Sequence, residues 1–181
     1  HYLTELSDKT VGILGAGNIG GQIAKRLEAF DMHVLGYDLH TDDRPHFEKI
    51  YNETHLQEFL GRCDYLVNCM PLFKSTEGML CKKWFDLMKS TVTIVNVGRK
   101  KRINDKDFIA FLKSHKDATA VLDMFEKVPN PLTNPYRRLS NVLVLPGVTA
   151  ISREIDKKLS VLIGENMKRL QSGEPLLNQI V

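Results

Sequence analysis

The apolar positions of this chain change period in blocks, from short β-branched runs to faces that return every three or four residues. Residues 10–14, Thr-Val-Gly-Ile-Leu, form an apolar run that stops at Gly15. Beyond it Ile19, Ile23, Leu27 and Phe30 share one face of a helix. Residues 32–37, Met-His-Val-Leu-Gly-Tyr, read as a second strand, and the polar stretch with Asp42, Asp43, Arg44 and Pro45 reads as a loop. Thr54 is placed to cap a short helix over 55–60, with Gln57 in the capping-box position and Gly61 as its stop. The run 64–70 predicts a buried strand ending at Pro71, and Trp84, Phe85, Leu87 and Met88 predict a helix packed into the core. Residues 91–97 are nearly all β-branched and predict another strand. Asn104 then caps a helix carrying Phe108, Ile109, Phe111 and Leu112. A strand over 118–122 ends at Asp123, and a loop with Pro129, Pro131 and Pro135 leads to a last strand over 142–145, ended by Pro146 and Gly147. Ser152 is placed to cap a long helix with Ile155, Leu159, Leu162 and Leu170, closed by Gly173 and Pro175.

Strands that alternate with helices imply an α/β fold: a Rossmann-type doubly wound parallel sheet in three layers, α/β/α. In such sheets ligands sit outside the carboxyl ends of the strands. The residues at those ends are 15–20, Asp38, 69–71, 97–99, Asp123 and 146–149, and the topology brings them to one crevice.

The first of these ends carries Gly15-Ala16-Gly17-Asn18-Ile19-Gly20 between a strand and a helix. There Gly15 allows a tight turn, Gly17 lets the backbone approach a pyrophosphate, and Gly20 lets helix and strand pack closely. The helix N-terminus offers N–H groups and a positive dipole end to the phosphates. Three glycines alone fit a turn in some other α/β protein equally well. Asp38 separates the readings, because it closes the second strand 18 residues past Gly20, where a carboxylate accepts hydrogen bonds from the ribose of NAD. Leu39 and His40 follow with no adjacent arginine, so NAD is favoured over NADP, although Arg44 is close enough to fold back.

Composition narrows the class. Hydrophobic residues at 43% and charged residues at 26% of 181 are globular values and leave neither disorder nor a membrane protein indicated. No apolar run approaches the roughly 20 residues of a membrane span. The opening residues lack a signal-peptide pattern and the chain starts without Met, so an excised or processed fragment is expected. The net charge of +3 is dispersed apart from Arg99-Lys100-Lys101-Arg102. That cluster, without aromatic interleaving, does not make a nucleic-acid site. Lys100, Lys101 and Arg102 are expected on a solvated face, with an anion site alongside Arg99 as the alternative. Cys63, Cys69 and Cys81 lack metal-ligand spacing and read as reduced thiols of a cytoplasmic protein, with no metal.

With these motifs in order, the chain resembles the coenzyme domain of the D-isomer-specific 2-hydroxyacid dehydrogenases over essentially all its length. The likeness rests on residues 15–20 and Asp38, then Cys63-Asp64-Tyr65-Leu66-Val67 with Met70-Pro71-Leu72. It continues through Asn96-Val97-Gly98-Arg99, Leu122-Asp123-Met124-Phe125-Glu126 and Asn141-Val142-Leu143-Val144-Leu145-Pro146. The resemblance implies a pyrophosphate against Asn18 and Ile19, the adenosine ribose at Asp38, and cofactor contacts from Met70, Pro71, Val97, Gly98, Arg99, Asp123 and Gly147. It implies that Arg99 grips the carboxylate of a small 2-hydroxy or 2-oxo acid, a bidentate task suited to guanidinium. It also implies a homodimer and a substrate domain, towards which residues 1–9 and 174–181 would lead as stubs, the tail held loosely.

The departures concern chemistry. Lys100 replaces the glycine of the family's Asn-x-x-Arg-Gly pattern, Val128 stands at the family's catalytic Glu position, and Gly147 stands at its catalytic His position. Neither Val128 nor Gly147 can donate a proton to a forming alkoxide or orient a group that does, a loss of about 10²–10⁴ in rate. Glu126 is the nearest carboxylate and a weak substitute. Two readings follow: the NAD-binding domain of a dehydrogenase with impaired acid–base chemistry, or a non-catalytic NAD(H)-responsive regulatory or scaffold module.

Overall fold

The computed structural model describes residues 4–123 and 134–179. They divide into two compact units, His1–Pro146 and Gly147–Val181. The first is built on β1 (Thr10–Leu14), β2 (His33–Tyr37), β3 (Lys49–Tyr51), β4 (Tyr65–Asn68), β5 (Thr93–Asn96), β6 (Thr119–Leu122) and β7 (Val142–Val144). All pair in parallel, in the order β3-β2-β1-β4-β5-β6-β7. The Rossmann-type α/β expectation therefore holds. The chain winds outward from β1 to β3 and then resumes beside β1 with β4, which makes the β1/β4 junction the switch point where such folds open a crevice.

Both faces of the sheet are covered, so no residue of the central strands β1, β4 and β5 is exposed. Val11 and Ile13 of β1 face one core with Ala24, Val34 and Val67, while Leu14 faces the other. The first core lies under α1 (Asn18–Glu28), the second under α2 (Leu56–Arg62), α3 (Lys82–Phe85) and α4 (Asp105–Ser114). Trp84 is a core residue as expected, edge-on to Tyr37 with ring centroids 5.3 Å apart. Asn104 caps α4 as expected, its side chain accepting from the Asp107 N–H.

Several local expectations change. The buried residues of α1 are Gly20 and Ala24, with Ile23 and Leu27 half-covered, while Ile19 (63%) and Phe30 (57%) are exposed. Small residues rather than the bulkiest ones face the sheet because the helix runs too close to β1 for a large side chain. Asp42, Asp43, Arg44 and Pro45 lie in a loop as expected, and beyond it comes an edge strand, β3, too short for alternation to reveal. Asn52, not Thr54, caps the turn before α2 by accepting from the Thr54 N–H, and α2 passes through Gly61 to end at Arg62.

In the second unit α5 (Ile155–Ser172) starts after Glu154 without the Ser152 side-chain cap. It ends, as expected, at Gly173, whose φ is +72°. Beyond it, Leu177 N–H donates to Asn166 Oδ1 at 2.8 Å, and Arg169 pairs with Glu174.

Candidate functional site

At the end of β1 the chain reverses over Gly15, at φ +94°, a left-handed conformation that disfavours a side chain. Gly15 N–H still donates to Tyr37 O, so the turn stays fastened to β2. A Cβ on Gly20 would lie 1.9 Å from the Gly15 carbonyl oxygen, so the turn and the first coil of α1 touch backbone to backbone. Gly17 differs: a Cβ there would meet nothing within 4 Å. The first turn of α1 holds no acidic residue. An open approach at Gly17 and a first helical turn with no acidic residue of its own suit a bound phosphate.

Asp38 closes the turn from the side. One carboxylate oxygen accepts from Ala16 N–H at 2.9 Å and the other from Leu39 N–H at 2.8 Å. Arg44 does fold back: Nη1 donates to Ala16 O at 2.8 Å and lies 3.3 Å from Asp38 Oδ2. Burial works against the Arg44 cation, but the carboxylates of Asp42 and Asp38 outweigh it and hold its pKa above the ordinary value. Beside this pair a cavity of about 500 Å³ opens between Gly17, Gln22 and Lys25 on one side and Arg44 and His46 on the other.

Across the switch point β4 delivers residues 69–71. Cys69 N–H and Sγ both donate to Leu14 O, at 3.1 and 3.2 Å, and Sγ also reaches Gly15 O at 3.3 Å. Burial, with Asp38 adding and Arg102 opposing, pushes this thiol up to about 11, so it stays protonated at neutral pH. Met70 packs on Gly15, its Cγ 2.9 Å from where a Cβ would stand. Asn68 and Asn96 end adjacent strands and are buried at 0% and 1%. Asn68 Nδ2 donates to Asn96 Oδ1 at 2.7 Å, while Asn68 O accepts from Val97 N–H and Gly98 N–H. Asp123 is buried beside them, its N–H donating to Asn96 O. The ends of β1, β2, β4, β5 and β6 thus meet in one continuous arrangement.

Residues 1–148 match the family model of the D-isomer specific 2-hydroxyacid dehydrogenase, NAD binding domain. The chain belongs to that family. It is 31% identical over 176 residues to D-3-phosphoglycerate dehydrogenase of Archaeoglobus fulgidus, covering 97% of this chain and 33% of the relative. It is 33% identical over 178 residues to glyoxylate reductase of Korarchaeum cryptofilum, covering 96% and 53%. A D-isomer specific 2-hydroxyacid dehydrogenase from Xanthobacter autotrophicus Py2, solved with NADPH and MES, superposes with a TM-score of 0.89 at 29% identity, covering all of this chain and 75% of that one. The chain therefore spans from about a third to about half of the length of these curated relatives.

For this 2-hydroxyacid dehydrogenase family domain, the structure gathers Gly15, Gly17, Gly20, Asp38, Met70, Val97, Gly98 and Asp123 at the carboxyl end of the sheet. Asn18 and Ile19 open α1, and Pro71 is exposed. Arg99 is exposed on the loop after β5. Gly147 belongs to the second unit and has φ +80°. Glu126 and Val128 lie outside the described residues.

The basic cluster does not form one solvated face. Lys100 pairs with Asp105 at 2.7 Å, and Arg102 is 1% exposed, because the Leu80–Ile103 bridge turns it inward under the 70–72 segment. Sequence reasoning missed the Asn68–Asn96 pair, although two asparagines that each end a strand were a visible signal. It also missed Arg102, which had none. Among the described residues no group of three or more His, Cys, Asp or Glu could hold a metal ion, and no helix is long and apolar enough to cross a membrane.

Proposed function

We propose that the chain binds NAD(H) across the 15–20 turn and forms the coenzyme half of an oxidoreductase that interconverts small 2-hydroxy and 2-oxo acids. The observation that carries this reading is the Asp38 carboxylate held against Ala16 N–H, beside an unobstructed Gly17. In this reading Asn18 and Ile19 lie along the pyrophosphate and Asp38 takes the adenosine ribose. Met70, Pro71, Val97, Gly98 and Asp123 line the remainder. Bound there, the reduced cofactor would supply a hydride. Arg99 is exposed and presents a guanidinium fork to the substrate carboxylate. Glyoxylate and 3-phosphoglycerate, named for the two relatives, define the class of small acid. Residues 1–9 and 174–181 lead to a substrate domain, and the assembled protein is a cytoplasmic homodimer.

NADP(H) competes for the same site. The Asp38 charge is shared among two N–H groups and Arg44, which softens its repulsion of a 2′-phosphate. Asp38 keeps the preference for NAD(H), and NADPH binds more weakly but measurably.

Proton delivery is the weak step. The positions that supply the family's acid and its orienting carboxylate hold Gly147 and Val128. Gly147 has a backbone conformation that a histidine would adopt only with strain. Turnover is therefore expected about 10²–10⁴-fold below that of an enzyme with a positioned acid. Calorimetry with NADH, followed by steady-state assays of the full-length protein with glyoxylate and hydroxypyruvate, tests both parts. Absence of NADH binding removes the cofactor reading, and turnover at ordinary enzymatic rates removes the claim about proton delivery.

The same two substitutions favour a second reading, a non-catalytic module whose partner affinity follows NAD(H) occupancy. Equal partner affinity with and without saturating NADH dismisses it.

A further inference from the structure

We propose that Arg102 is a positioning residue for the dinucleotide crevice, bracing the 70–72 segment against the glycine turn through the Pro71 carbonyl. This rests on the NAD(H) reading of the 15–20 turn. Arg102 is the bulkiest fully buried side chain of the described residues, at 1% exposure. Among those residues no carboxylate pairs with its guanidinium, and Nε has no hydrogen-bond partner. Burial lowers its pKa, the expected sign for a cation without a counter-charge. An apolar residue of similar size at such a place is often neutral or stabilising. The arginine is therefore costly to the fold, which points to a task in what it touches.

Its guanidinium meets Met70, Pro71 and Met79. Nη2 donates to Pro71 O, and Nη1 lies 3.8 Å from Met70 Sδ and 3.9 Å from Met79 Sδ. Met70 bears on Gly15, and Met70 N–H points at Asn68 Oδ1 at 3.4 Å, within the Asn68–Asn96 pair. The root of the side chain is fixed independently: Arg102 O accepts from Leu80 N–H at 2.9 Å, and Ile103 bridges to Leu80. Arg102 thus links an anchored loop to the segment that closes the β1/β4 switch point. Without it, Met70 and Pro71 keep their packing but lose the hydrogen bond that sets their height over the turn.

The test compares Arg102→Met, Arg102→Lys and a remote core variant, Gly12→Ala, in the full-length protein. Each is measured for thermal stability and, well below its Tm, for NADH affinity. Arg102→Met is expected to weaken NADH binding about tenfold, the order lost with one charge-assisted hydrogen bond, while its Tm stays level or rises. Arg102→Lys, which keeps a donor to Pro71 O, is expected to bind within about threefold of the parent. Gly12→Ala, whose new methyl meets Cys63 and Phe59 away from the crevice, is expected to lose stability and keep its NADH affinity. Unchanged NADH affinity in Arg102→Met overturns the proposal. So does a loss of affinity matched by Gly12→Ala, or failure of Arg102→Met to fold, since each makes Arg102 a purely structural residue. Absence of NADH binding by the parent overturns the reading of the site itself, and this proposal with it.

Discussion

Alanine at Gly17 and at Gly20 should have opposite consequences, although both add one methyl to the same turn. At Gly20 the new Cβ would stand 1.9 Å from the Gly15 carbonyl oxygen, against the 3.4 Å at which ordinary contact begins. That oxygen is backbone, so α1 or the turn must shift bodily. Overpacking of this kind costs about 1–3 kcal/mol or more, and better helix propensity returns at most about 1 kcal/mol. The net expectation is a loss of about 2 kcal/mol, or roughly 4–8 °C in Tm for a chain of this length. At Gly17 the backbone has φ −76° and ψ −156°, open to any residue, and the methyl meets nothing within 4 Å. Stability should change by no more than about 1 kcal/mol, since a poorer N-cap is offset by a less flexible unfolded chain. If a pyrophosphate approaches there, the methyl occupies its place and NADH affinity falls by at least tenfold, about 1.4 kcal/mol. Calorimetric unfolding and NADH titration of both variants separate the effects. A Gly17→Ala protein that binds NADH like the parent would refute the assignment of the phosphates. A Gly20→Ala protein with an unchanged Tm would refute the closeness of α1 to β1.

Arg44→Ala leaves Asp38 less compensated, so NADPH affinity should fall about tenfold while NADH stays within about threefold, as read by paired titrations; equal losses for both would contradict the shared-charge account. Asp64 is disfavoured as a carboxylate by burial, but Lys89 and the Thr10 N–H outweigh that and lower its pKa. Its stabilisation is then present above the ordinary value of 3.8 and lost as the pH falls through the lowered folded value. Asp64→Asn should lower Tm at pH 7 and converge on the parent below that range, and a pH-independent difference would exclude the ion pair as the cause. Gly12→Ala places a Cβ 2.4 Å from Cys63 Sγ and 2.8 Å from Phe59 Cζ, an overpacking worth about 1–3 kcal/mol. Adding Cys63→Ala should recover part of that stability in a double-mutant cycle, and strict additivity would show the sulfur is not the obstacle.

The alternation of apolar runs made the order of strands and helices legible, because each central strand is covered on both faces and needs no alternating pattern of its own. Where one side is open the signal faded. β3 has three residues and one covered neighbour, and it was invisible. The face of α1 was misjudged for a related reason. Hydrophobicity ranks Ile19 and Phe30 above Gly20 and Ala24, yet the distance between α1 and β1 is set by the Gly20–Gly15 contact, and only small residues fit beneath it. The cap expected at Thr54 failed because the folded geometry brings the Asn52 side chain, two residues earlier, to the Thr54 N–H.

The candidate site divides along the same line. Gly15, Gly20 and Asp38 are readable because each residue type answers to a backbone or charge requirement local to its own turn. Arg44, Asn68, Asn96 and Arg102 act across 6 to 31 residues of chain, through partners that only the folded sheet supplies. A basic run such as 99–102 looks uniform in sequence, but the Leu80–Ile103 bridge gives its members different surroundings: Arg99 exposed, Lys100 paired, Arg102 buried. Charge on a loop therefore says little about function until the hydrogen bonds that orient the loop are known. In this chain they divide the cluster into an exposed arginine, Arg99, a lysine paired with Asp105, and a buried arginine, Arg102.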